Sequence, residues 1–307
     1  MTTHDKRVGI GAFLAALVGA LQWKVLLLWL LVMLVPTTIA ALPIRDVLGG
    51  LLDHSVHAAG MARGFDAILM SDLMVQVARQ GVAIGTAGML ASLLTMLLAP
   101  FLAGMIVSAL RAPQHAAGLG ELMHGGLREY WRMFRLMLWS LLAFGIAIAV
   151  AAAAFGIASK SIEAATLQSV ADRSGTIALW ISVVFFVLAH AAMESSRAQF
   201  AADAGLTSAT RAFGRGVGML FRRPLATLGM YLGTSVIGYV LVIFIGMWRI
   251  HTPAVGAFGV VLAFVIAQLI VVVLAWQRVA RLHGLTAIAR AAGNTSRRGA
   301  YPSLATA

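Results

Sequence analysis

Six stretches of this chain are long enough to cross a bilayer and contain no Asp, Glu, Lys or Arg: Val25–Pro43, Gly81–Leu110, Leu136–Ser159, Thr176–Met193, Leu225–Trp248 and Ala254–Trp276. A hydrocarbon core is crossed by roughly 20 apolar residues at helical rise. Runs this uniform lack the alternation of a barrel strand, and a helix satisfies every backbone polar group within the segment itself. The expected fold class is therefore all-α integral membrane, with six transmembrane helices arranged as three hairpins. Composition agrees. Hydrophobic residues make up 61% and charged ones 11%, where soluble domains average about 25% charged.

The charges between the runs predict orientation. Seventeen Lys and Arg fall before the first run, between the second and third, between the fourth and fifth, and after the sixth; only six fall in the opposite connections. The positive-inside rule then places both termini of this multi-pass chain in the cytoplasm. The net charge of +12 lies on that cytoplasmic rim, where anionic lipid headgroups are the natural partner. No separate basic domain or recognition module is visible, so a nucleic-acid partner is not expected. Lys6 and Arg7 with Ala40-Ala41 have the outline of a signal peptide. The first run is too long for one, and Trp23-Lys24 fits an interface anchor, so an uncleaved first span is expected.

Aromatic-basic collars precede the odd-numbered runs: Gln22-Trp23-Lys24, then Tyr130-Trp131-Arg132 with Phe134-Arg135, then Phe221-Arg222-Arg223-Pro224. Amphipathic stretches lead into them. Ile10, Phe13, Leu14, Leu17 and Leu21 form the first stripe. Leu119, Leu122, Met123, Leu127, Tyr130 and Phe134 form the second, opposite Glu121, His124, Arg128, Arg132 and Arg135. Leu206, Phe213, Val217 and Leu220 form the third, opposite Arg211, Arg215 and Arg222. Apolar residues at three-four spacing with basic residues opposite are what an interfacial helix requires. Three internal repeats are expected, with collars 111 and 87 residues apart, counted at Lys24, Arg135 and Arg222. Trp23, Lys24, Arg128, Trp131, Arg132, Arg135, Arg211, Arg215, Arg222 and Arg223 become the candidate lipid or interface residues.

Residues 1–292 form the expected membrane domain, and 293–307, rich in Gly, Asn, Ser and Arg, a disordered cytoplasmic tail. Residues 44–80 form an extracytoplasmic segment with two short amphipathic helices. Within the spans, Gly81, Gly85 and Gly88, the Gly229/Gly233 pair, and Ala147, Ala151 and Ala154 with Gly156 are expected to mark close helix contacts. The Gly229/Gly233 spacing also leaves homo-oligomerisation open. Pro36 and Pro100 are expected to kink their helices.

Chemistry is sparse. There is no cysteine, which removes disulfides, thiol catalysis and cysteine metal sites. Asp53-His54-Ser55 with His57 is the densest polar cluster outside the runs. Asp53 and His57 share a helical face, but zinc needs a third protein ligand and adjacent residues do not form a triad. No metal site, cofactor or catalytic residue is expected. His190, Glu194 and Arg197 follow one face at the exit of the fourth run, with Glu194 and Arg197 spaced for an ion pair. Gln268, inside the sixth run, fits interhelical hydrogen bonding. No Walker loop, HExxH or GxSxG is present.

The exit Ala191–Arg197 and the run Thr210–Gly229 (TRAFGRGVGMLFRRPLATLG) share an order of elements. An acid and an arginine leave a span, an amphipathic arginine helix follows, then a basic-proline collar and a glycine-bearing span. This order resembles a widespread group of bacterial six-span inner-membrane proteins, themselves similar to the membrane domain fused to glycerophosphodiester phosphodiesterases. Leu52-Asp53-His54-Ser55 fits the same group, while Ser195-Ser196 stands where its members often carry Asp or Tyr. No phosphodiesterase domain is present in this sequence, so the resemblance implies an architecture and no catalytic residue. The expected role is a non-enzymatic envelope or transport-associated component binding anionic lipid or a cytoplasmic protein. A permease or channel for a small apolar or amphipathic solute is the alternative. An intramembrane enzyme built on Asp53, His54 and His57 is the third.

Overall fold

A computed structural model describes residues 3–52, 67–112, 118–163, 168–254 and 256–300, and among them it contains nine helices and no strand. These are α1 (Thr3–Gly19), α2 (Trp23–Leu52), α3 (Ala67–Arg79), α4 (Gly81–Arg111), α5 (Leu119–Glu163), α6 (Gln168–Ala202), α7 (Ala209–Arg222), α8 (Pro224–Ile250) and α9 (Gly256–Ala300). Six of them, α2, α4, α5, α6, α8 and α9, are long and apolar enough to cross a membrane; the first five contain the first five uncharged runs, and α9 holds the sixth from Gly256 on. The chain is an all-α multi-pass membrane protein.

The collars differ in how they join their spans. Arg223 interrupts the helix before Pro224, whose ring carries no backbone donor and so suits the first position of α8. Residues 20–22 likewise separate α1 from α2. At the second collar no break occurs. The sequence from Leu127 to Phe144 holds neither Gly nor Pro, and α5 runs unbroken for 45 residues. At 1.5 Å per residue it is about 67 Å long, more than twice a hydrocarbon core. The expected separate second interfacial helix is therefore the first third of a span.

Other boundaries also move. Helix α2 continues through Pro36 and Pro43 to Leu52, so residues 44–52 of the expected extracytoplasmic segment extend the first span. Helix α4 likewise continues through Pro100. Residues 67–79 of that segment form α3. Helix α9 passes Gly293 and ends at Ala300, so that part of the expected disordered tail is helical. It holds no proline before Pro302, and Pro is the residue that stops a helix outright. Asp53, His54 and His57 lie outside the described residues.

Contacts divide the chain into two compact units. The first holds Met1–Ala20, Ala103–Thr234 and Val279–Ala307; the second holds Leu21–Leu102 and Ser235–Arg278. In the first unit α5, α6 and α7 pack together. Trp139 stacks on Phe213 at 5.1 Å, and Ala191, Ala192, Leu220 and Tyr231 form a buried cluster flanked by Val187, Leu188, Val217 and Leu228. In the second unit Gln277 donates to the Ser235 carbonyl at 3.1 Å and packs on Gly238, while the Arg278 guanidinium lies 5.4 Å from the Trp29 ring centre. Large apolar side chains also face outward along the spans, among them Leu141 at 71% exposure, Trp180, Phe244 and Phe264. Such a surface is a liability in water and is what lipid requires.

The close approaches use other glycines than expected. Gly81, Gly85, Gly88, Gly156 and Gly229 have open space where a Cβ would stand, whereas Gly233 meets the Phe13 ring and Ala147 is buried. Close contacts also lie near the ends of the spans. Gly125 of α5 abuts Ser108 of α4, Gly216 of α7 abuts Ser196 of α6, and Gly19 of α1 abuts His283 of α9. Each basic amphipathic stretch thus seats a glycine on the end of a second span of a hairpin, and the N-terminal one closes on the last. Spacing alone pointed to three repeats; this pattern gives them a packing rule.

Candidate functional site

Within the first unit, two buried glutamates organise the ends of the spans. Glu194 is fully buried on α6, one residue beyond the uncharged stretch from Ser174 to Met193. Its Oε1 accepts from Arg197 Nη1 at 2.6 Å, one turn along the same helix, and lies 4.0 Å from Nη2 of Arg281 on α9. His190 Nε2 is also 4.0 Å from it. The His190 Nδ1 is hydrogen-bonded to the Tyr231 hydroxyl of α8 at 2.8 Å, and the Arg281 guanidinium sits 5.1 Å from the centre of that same Tyr231 ring. One carboxylate therefore ties α6 to α9, and the histidine-tyrosine pair ties in α8.

Glu129 plays the same part on α5. It is 1% exposed and accepts from Arg111 of α4 at 2.7 Å and from Arg132 at 3.2 Å, with Arg128 at 3.8 Å. Arg111 reaches further, donating through Nε at 3.1 Å and through Nη2 to the Phe200 carbonyl near the end of α6. Arg290 of α9 donates to the carbonyls of Leu110 at 3.1 Å and Ala201 at 3.3 Å. The last carbonyls of a helix have no intrahelical donor and carry the negative end of the macrodipole, so arginine is a fitting cap. Here two arginines cap the ends of α4 and α6 from neighbouring helices.

The energetics explain why the charges come in groups. An isolated carboxylate moved out of water costs several kcal/mol even after relaxation. Each glutamate here is met by at least two guanidiniums, and each group keeps a surplus positive charge. Arg111, Arg197 and Arg281 follow one another at intervals of 86 and 84 residues, each at the end of a second span of a hairpin. That regularity was available in the sequence.

The candidate interface residues divide into two kinds. Arg132 and Arg128 turn to Glu129, and Arg215 pairs with Asp203 at 3.0 Å, so these three are engaged within the protein. Arg135 donates only to carbonyls, those of Trp131 at 3.3 Å and Thr207 at 3.5 Å. Arg211, Arg222 and Arg223 are exposed, and among the described residues no carboxylate lies within ion-pair distance of them or of Arg135. Near Arg135, Arg222 and Arg223 in the sequence, Trp131, Phe221 and Leu225 are exposed, the last two at 75% and 76%; in the second unit Trp23 is exposed and Lys24 half-buried. On α5 the apolar residues Leu119, Met123 and Leu127 also face outward, and the inward face is Leu122, Gly125, Gly126, Glu129, Met133 and Leu136.

His190, Glu194 and Arg197 are thus brought together on one face, with Glu194 and Arg197 paired at the spacing that predicted it. Gln268, half-buried on α9, belongs to the second unit. Glu129, Arg111, Arg281, Arg290 and Tyr231 are the members that spacing did not single out. Among the described residues no three His, Asp or Glu side chains gather where they could hold a metal. Comparison with models of protein families, with curated proteins and with solved structures finds no match to this chain.

Proposed function

We propose that this chain is a non-enzymatic component of a bacterial inner membrane, oriented with both termini in the cytoplasm, whose outward arginines bind anionic lipid headgroups in an envelope or transport-associated role. The observation that carries this reading is the division of the arginines. Those that turn inward meet Glu129 and Glu194 and join helices. Those that turn outward, Arg135, Arg211, Arg222 and Arg223, have no carboxylate within ion-pair distance among the described residues, and near three of them in the sequence Trp131, Phe221 and Leu225 are exposed. A basic residue next to an exposed aromatic or aliphatic one matches the headgroup level of a leaflet rich in anionic lipid, where each such charge is worth about 1 kcal/mol. The inward groups serve as the frame that holds the outward ones in place. A cytoplasmic protein carrying acidic side chains would use the same surface, and the kinship with the six-span inner-membrane group is part of this proposal.

The test is the lipid belt of the full chain extracted directly into polymer nanodiscs. Phosphatidylglycerol or cardiolipin enriched several-fold over the parent membrane is the expected result, reduced when Arg211, Arg222 and Arg223 are together changed to Gln. A belt with the composition of the parent membrane sinks the lipid reading.

A further inference from the structure

A cavity of about 510 Å³ opens between α5 and the turn that enters α7, lined by Arg135, Leu138, Trp139, Thr207, Ser208 and the first residues of α7. Its lining is of two kinds. The Arg135 guanidinium and the hydroxyl-bearing residues Thr207, Ser208 and Thr210 are polar; Leu138 and Trp139, the latter fixed by stacking on Phe213 at 5.1 Å, are apolar. No acidic residue is among the described residues that line it. Arg135 is the last charged residue before the uncharged stretch that begins at Leu136. Arg135 therefore stands where the headgroup level meets the span, and Leu138, Leu141 and Leu142 follow it, exposed, along the same helix.

We infer that this cavity is a discrete binding site for one anionic glycerophospholipid, with the phosphate on Arg135 and the glycerol and upper acyl chains against Leu138 and Trp139. Three features act together. A guanidinium forks onto phosphate oxygens in a geometry that lysine does not reproduce. The arginine here donates otherwise only to carbonyls, at 3.3 and 3.5 Å, long contacts that a phosphate would displace with gain. The lining is amphipathic, as the lipid is, with a guanidinium and hydroxyl-bearing residues beside Leu138 and Trp139. A free phosphate would satisfy the first feature and leave the apolar wall unused. The inference rests on the anionic-lipid reading and adds to it a single saturable place.

Native mass spectrometry of the full chain in detergent tests it, with phosphatidylglycerol, phosphatidylcholine and inorganic phosphate added in separate experiments. One phosphatidylglycerol is expected to persist on the protein in preference to phosphatidylcholine. Arg135→Gln is expected to lower that occupancy about five-fold, the worth of one basic residue beside an anionic surface. Arg135→Lys is expected to fall between the two, and Arg173→Gln, at an exposed position near the start of α6, to leave it unchanged. Thermal unfolding of each variant checks that the fold is kept, which an exposed arginine permits. Occupancy undiminished in Arg135→Gln, with anionic preference intact, overturns the site while leaving general binding by the collars standing. Inorganic phosphate held as tightly as the lipid overturns its lipid character. No preference for phosphatidylglycerol in any variant removes both this site and the broader reading.

Discussion

Gly216 is where α7 meets α6, and a single methyl group there should separate the two helices. A Cβ at this position would stand 2.5 Å from the backbone nitrogen of Ser196 and 2.6 Å from its Cα. Ordinary contact between carbon atoms begins near 3.5 Å, so one helix must move by about 1 Å. The obstructing atoms belong to the backbone of α6, and Ser196 is itself buried with its hydroxyl donating to the Ala192 carbonyl at 2.7 Å. Neither helix can yield through a rotamer change. Overpacking of this kind costs about 1–3 kcal/mol, and the rigid neighbour places it near the top of that range. Alanine recovers up to about 1 kcal/mol of helix propensity, leaving a net loss of about 2 kcal/mol. Gly214, two residues earlier on the same helix, has open space around it, so Gly214→Ala keeps only the propensity gain. The two variants should differ by roughly 3 kcal/mol, about a hundredfold in the unfolding constant. Unfolding of the full chain in mixed detergent and dodecyl sulfate micelles, followed by tryptophan fluorescence, measures both. Equal midpoints, or a Gly216→Ala protein more stable than Gly214→Ala, would refute the close approach of α7 to α6.

Further expectations follow from the buried charges. Glu194→Leu leaves Arg197 and Arg281 facing one another without their carboxylate, and should cost about 3–5 kcal/mol in the same titration. Adding Arg281→Met should recover part of that loss; a double variant worse than the sum of the single ones would contradict the pairing. Tyr231→Phe removes the hydrogen bond to His190 but keeps the ring near Arg281, for a loss of about 1 kcal/mol, and Tyr231→Leu should cost more because the cation-π contact goes as well. Arg222→Gln should leave the unfolding midpoint where it is and lower only the preference for anionic vesicles; a destabilised Arg222→Gln would mean that this arginine joins helices.

How far the sequence reaches depends on the range of the interaction. The six spans follow from local composition and are all present. The Glu194–Arg197 pair was legible because its members are one helical turn apart. Glu129 was not, because it sits between Arg128 and Arg132 in a stretch that reads as a solvated basic face; only the fold shows that this face turns toward Arg111. Arg111 and Phe200 are 89 residues apart and Arg290 and Leu110 are 180 apart, and no local spacing encodes such contacts. The glycine contacts misled for a related reason. A Gly-rich stripe such as Gly81, Gly85 and Gly88 permits close packing without naming a partner, while Gly125 and Gly216 lie in amphipathic stretches where packing was not sought. The unbroken α5 was readable in retrospect, since the second collar lacks the proline that follows Arg223 in the third.

The central claim is that all three collars lie at one face of the membrane, the cytoplasmic one, and accessibility of single cysteines tests it most directly. The chain contains no cysteine, so each introduced thiol reports alone. Leu21→Cys, Glu121→Cys and Thr210→Cys place one exposed thiol near each collar; Ser71→Cys, Glu163→Cys and His251→Cys place exposed thiols at the far ends of the spans. With a membrane-impermeant maleimide, the first three should label in inside-out vesicles and the second three in right-side-out vesicles. A collar thiol that labels from the opposite side to the other two would contradict the three-hairpin arrangement. If all three label only from outside, the chain is inverted and the arginines do not face the anionic cytoplasmic leaflet.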